Sequence, residues 1–136
     1  MATLTASNGV KTASCDAALN RLTTGTTDAT PDFAFLNASN AILGICNFSA
    51  TPFGASVING STGKAEASAN TIANSGAPTA GTITKGRWRN RDNATEIEFD
   101  IALSGAALNL GSVDIPAGAS HIAVSNLKFI WDVGAG

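Results

Sequence analysis

Lys85-Gly86-Arg87-Trp88-Arg89-Asn90-Arg91-Asp92-Asn93-Ala94-Thr95-Glu96-Ile97-Glu98-Phe99-Asp100-Ile101 is the stretch whose periodicity decides the fold. Side chains alternate faces along an extended strand, so Lys85, Arg87, Arg89 and Arg91 share one face and Trp88 takes the other. Glu96, Glu98 and Asp100 repeat the alternation with the opposite charge. A turn at Asn93-Ala94 predicts an antiparallel hairpin that pairs Arg91 with Glu96, Arg89 with Glu98, Arg87 with Asp100 and Trp88 with Phe99. One face is then ionic and the other apolar. Asn-Ala is a weaker two-residue turn than Asn-Gly, so a longer loop is also compatible with the sequence.

On both sides of this hairpin the chain reads as short β runs separated by turn residues, the pattern of a sandwich or barrel. Strands are expected near 32–37, 40–48, 66–72, 80–91, 95–103, 108–114 and 120–131. The intervals 49–63 and 74–81 are rich in Ser, Thr, Gly, Asn and Pro and read as surface loops or arms. In 120–131, Ile122 and Val124 lie on one phase and Leu127, Phe129 and Trp131 on the other, which predicts a bulge near Ser125-Asn126. The only helical segment is Val10–Leu22, free of Gly and Pro, with Cys15, Leu19 and Leu22 at helical spacing. Ser7 or Asn8 is placed to cap it, and residues 1–9 are a candidate N-terminal arm. Gly25 is placed to stop the helix.

Composition sets the outer limits. Ala, Thr, Gly, Ser and Asn account for 78 of 136 residues, and only 13% are charged. Leu, Ile, Val and Phe still make up 22%, with a net charge of -2, so the signature of disorder is not met and one folded domain spanning 1–136 is expected. Eight cations against ten carboxylates give no bulk attraction for nucleic acid. Four of those cations fall within 85–91, but three carboxylates face them, which argues against an open phosphate-binding patch. No uncharged stretch is apolar for long enough to span a bilayer, and Met1–Ala6 lacks a cationic segment leading into an apolar one, so neither membrane insertion nor a secretory signal is expected.

Groups suited to chemistry are sparse. Cys15 and Cys46 are too few for a disulfide framework, and with the single His121 they do not make a zinc set, so they read as buried free thiols. Glu96, Glu98 and Asp100 would share a face, but the basic strand beside them keeps them ionised rather than raising one for acid catalysis. No catalytic residue, cofactor or metal site is expected. The ionic hairpin has two readings: a solvated ladder of cross-strand ion pairs, each contributing roughly 0.2–1 kcal/mol, or a surface that docks a partner protein through complementary charge. The candidate protein-contact residues are Lys85, Arg87, Arg89, Arg91, Glu96, Glu98 and Asp100, with Trp131 as an aromatic belonging to either the core or an interface.

The helical Ala6-Ser7-Asn8-Gly9-Val10 and Ser14-Cys15-Asp16-Ala17-Ala18-Leu19-Asn20-Arg21-Leu22, followed by a β-rich chain with Ser104-Gly105-Ala106-Ala107-Leu108-Asn109-Leu110 and Ile115-Pro116-Ala117-Gly118, resembles small structural proteins of tailed bacteriophages. The similarity is greatest to capsid decoration, or cement, proteins and covers most of the chain. It implies a jelly-roll-like antiparallel β-sandwich with one short N-terminal helix. The expected location is the outer surface of an HK97-like capsid assembled in the host cytoplasm, where the protein bridges neighbouring major capsid subunits. Self-association is also implied, a dimer before a trimer, with no enzymatic activity. The charged hairpin departs from the more neutral strands of such relatives. Other readings are a tail-associated or fibre-base protein and a carbohydrate-binding module, the latter weakened by two Trp and no Tyr to serve as sugar platforms.

Overall fold

The computed structural model describes residues 5–131. It is mainly β with one short N-terminal helix, as the alternating pattern predicts. Helix α1 (Asn8–Asn20) begins two residues earlier than its apolar spacing suggests, because the Ser7 hydroxyl accepts from the Val10 N–H at 3.2 Å and closes the first turn. Ser7 onward therefore belongs to the helix and its cap rather than to an arm. Residues 1–4 of the expected arm lie outside the described residues. A 3-10 turn (Arg21–Thr23) ends the helical segment, and Gly25 follows at φ 105°.

Ten strands follow among the described residues: β1 (Asp32–Leu36), β2 (Ile42–Asn47), β3 (Val57–Ile58), β4 (Ala65–Ser68), β5 (Gly81–Thr82), β6 (Lys85–Arg89), β7 (Thr95–Ala102), β8 (Leu108–Asn109), β9 (Asp114–Ile115) and β10 (Lys128–Trp131). They form a five-stranded sheet in the order β2-β1-β6-β7-β8, a three-stranded sheet β10-β4-β3 and a small pair β5-β9. All pairings are antiparallel except β7 with β8.

Several expected strands are divided. The run 80–91 breaks at Ile83-Thr84, sending Gly81–Thr82 to β9 and leaving Lys85–Arg89 in the large sheet. The run 108–114 splits in the same way into β8 and β9. Only the end of 120–131 joins a ladder, because Ile122 is held by other bonds: its N–H donates to Ser75 Oγ, and its carbonyl accepts from Ser75 N–H and the Cys46 thiol. The expected slip in apolar phase occurs, with Ile122 and Val124 partly buried on one side of it and Leu127, Phe129 and Trp131 on the other, but it falls at Asn126 (φ 56°) ahead of β10 and outside any ladder, so the expected bulge does not form. Within 49–63, read as loop, Val57–Ile58 pairs with β4.

The core lies where the inner face of the large sheet meets the three-stranded sheet and α1. Phe33, Phe35, Phe48, Phe53 and Trp88 are buried there with Cys15, Leu19, Leu22, Cys46, Ala65 and Ala67. Phe33 stacks on Phe35 at 4.3 Å between centroids, and Trp88 meets Phe53 at 5.2 Å, Phe99 at 5.4 Å and Phe129 at 5.8 Å. The arrangement is consistent with a β-sandwich, its core centred on a cluster of aromatic rings.

Candidate protein-contact surface

The hairpin forms, but its register differs by two residues from the expected one. Lys85 stands opposite Asp100, Gly86 opposite Phe99, Arg87 opposite Glu98 and Trp88 opposite Ile97. The cause is the turn. Asn90 N–H donates to the Ala94 carbonyl, and Asn90 Oδ1 accepts from the N–H groups of Asp92 and Ala94. Asn93 supplies the left-handed residue at φ 63°. One buried amide side chain thus closes a loop longer than Asn93-Ala94. A shift of two preserves every face, so the split into ionic and apolar sides survives.

A second irregularity redirects Glu96. Arg89 lies opposite Thr95, so Glu96 is the extra residue of a bulge. Its carboxylate meets Arg21 at the end of the helical segment at 3.3 Å and accepts from Asn90 Nδ2 at 2.9 Å. The expected pair Arg91 with Glu96 does not form. Arg91 sits in the loop, where its Nε donates to the Asp28 carbonyl at 2.7 Å and its carbonyl accepts from Asp28 N–H.

Arg89 does not pair with Glu98 either. β6 is the middle strand of its sheet, and its second neighbour β1 places Asp32 directly opposite Arg89. The two make a bidentate pair at 2.7 and 2.8 Å with both side chains largely removed from water. Asp32, Asp28, Arg21 and Asn90 escaped the sequence reading. One signal was available: four cations, Lys85, Arg87, Arg89 and Arg91, alternate along the first arm against three carboxylates, Glu96, Glu98 and Asp100, along the second, with Asp92 in the turn, so one cation needs an acid from elsewhere. Asp32 is the lone charge in the apolar run Pro31–Leu36.

Lys85, Arg87, Glu98 and Asp100 remain on the open face. Glu98 accepts from Arg87 Nε at 3.4 Å and lies 3.7 Å from Lys85 Nζ, which also donates to Asn40 Oδ1 at 2.6 Å. Asp100 is exposed and makes no ion pair among the described residues. The expected pair Arg87 with Asp100 is replaced by Arg87 with Glu98. Ala34 and Leu36, opposite Arg87 and Lys85, are fully buried on this same face, where the aliphatic stems of the two cations stand beside them. Trp131 is half-buried and packs against Phe129 at 6.3 Å.

No family model, curated protein or solved structure matches the chain.

Other reactive groups lie apart from this surface. Cys15 and Cys46 are free and buried, and burial pushes both thiols above their ordinary range. His121 is exposed, with Nδ1 2.9 Å from Ser120 Oγ. Among the described residues no cluster of His, Cys, Asp and Glu could hold a metal ion, and no helix is long and apolar enough to cross a membrane.

Proposed function

We propose that this chain is a structural subunit of a tailed-phage virion, one that decorates the outside of the capsid by bridging neighbouring major capsid subunits. The sequence resemblance supplies the class of assembly. The observation that carries the contact itself is the outer face of the β6-β7 hairpin, where Lys85, Arg87, Glu98 and Asp100 stand on regular strands beside one another. Arg89, Arg91, Glu96 and Asp92 tie the same hairpin to residues 21–32 and hold its geometry. Paired rows of opposite charge on a rigid strand select a partner's register more than they add affinity. Many weak copies on one shell then give collective attachment.

The test is to add purified protein to capsids that lack it and to image the particles. The expected result is density on the outer shell at the junctions between major capsid subunits. Density on tails or fibre bases instead supports the tail-associated reading. Binding to a glycan array with none to particles supports the carbohydrate module.

A further inference from the structure

The two main sheets leave an open seam. β8 ends one sheet order and β10 ends the other, and no described strand pairs with the second side of either. Between them lies a hollow of about 230 Å³, walled by Leu108 on one side and Lys128 to Ile130 on the other, with Trp88, Ile97 and Phe99 also lining it. A second hollow, about 340 Å³, continues along the same seam between 108–111 and 123–128.

Three features indicate what fits there. The first is backbone polarity. Ala69 N–H donates to the Leu127 carbonyl, which sets the phase of the β10-β4 ladder, so Phe129 and Trp131 bond toward β4. Lys128 and Ile130 then turn N–H and C=O toward the seam. The second is Trp88, only 3% exposed, whose Nε1 is buried with no acceptor. A buried indole N–H without a partner is an uncompensated donor. The third is charge: Lys128 is the one ionisable side chain lining the first hollow, and although its ammonium lies 3.5 Å from Glu66 Oε1 on β4, the side chain is 54% exposed and has N–H groups left for a second carboxylate.

We infer that the seam between β8 and β10 receives an extended polypeptide segment of an assembly partner. The segment adds as a strand to β10, turns alternate apolar side chains toward Trp88 and Phe99, and carries an acidic residue beside Lys128. Strand addition satisfies both open edge groups and apolar surface in one step, which a small apolar molecule does not. Packing of those side chains over the Trp88 ring changes the surroundings of its indole N–H, which the segment itself does not reach. The inference deepens the adhesive reading above and rests on it only for the partner's identity.

The experiment uses the isotope-labelled full chain and a blocked heptapeptide of alternating threonine and valine with one aspartate on the threonine side. At ten times its Kd the peptide is expected to slow amide exchange at Lys128 and Ile130 about tenfold and to shift the Trp88 indole N–H resonance. The same peptide with a central proline should do neither, and Leu108→Lys should abolish both effects. If Leu108→Lys fails to fold, the proline peptide on the native chain still decides. Unchanged exchange at millimolar peptide overturns the inference, as does an equal effect from the proline peptide. Protection of Lys128 and Ile130 that rises with protein concentration alone assigns the seam to a second copy and also overturns it. Peptide binding by a chain that leaves capsids bare would sink the capsid reading while the seam assignment stands.

Discussion

At Gly86 the absence of a side chain lets two aromatic rings close over the central strand. A Cβ built there would lie 2.7 Å from Phe99 Cζ and 2.9 Å from Phe33 Cε1, both in rings packed into the core. Gly86→Ala is expected to destabilise the fold by about 1–3 kcal/mol, the usual range for overpacking, as a lower midpoint in urea with little change in slope. The two cysteines make a second residue-scale prediction. Burial raises both thiols, so at neutral pH the native protein should leave a thiol reagent nearly unconsumed. The unfolded chain should titrate with two equivalents. Fast reaction of the native form would contradict their burial.

The hairpin and the segment 24–32 behave as one element. Asp92 Oδ1 accepts from the N–H groups of Thr26 and Thr27 and from the Thr27 hydroxyl, all within 2.9 Å. These bonds, the Thr26 N–H first, hold its carboxyl below the ordinary value of 3.8. A group depressed in the folded state stabilises that state fully above its unfolded pKa and loses the effect as pH falls through the folded one. Loop 25–28 should therefore loosen only below about pH 3.8. Asp92→Asn should show the loosened loop at neutral pH, read as faster proteolysis there. Deeper in the same element, Asp32→Ala strands Arg89 largely out of water and is expected to cost about 3–5 kcal/mol by chemical denaturation. The face split of this hairpin was legible because period two is a local property. The register was not, because Asn90 closes the loop with a side chain whose bonding depends on a turn already formed.

For the whole molecule, attachment should depend on the charges that the fold leaves open. Lys85→Glu with Arg87→Glu keeps the Arg89–Asp32 pair and is expected to reduce capsid occupancy, with the native protein's occupancy also falling as salt rises. Occupancy unaffected by either change would remove this face from the contact. Arg89→Glu cannot serve the same test, since it places a second carboxylate against Asp32 within the fold. Of the candidate contact residues, Arg89, Arg91 and Glu96 are engaged inside the chain, while Lys85, Arg87, Glu98 and Asp100 remain outward.

By itself the sequence determined the β class, the short N-terminal helix with a cap at Ser7 or Asn8, the alternation of ionic and apolar faces, and the slip in apolar phase near Ser125-Asn126. Each of these follows from the spacing of residues a few positions apart, where covalent geometry and side-chain periodicity govern. Only the tertiary structure decided that Asp32 answers Arg89, that Glu96 turns to Arg21 across a bulge, and that β8 and β10 face each other across an open seam. Those outcomes depend on which strands become neighbours. That choice is made by burial of the whole aromatic core at once, and no local window of sequence contains it.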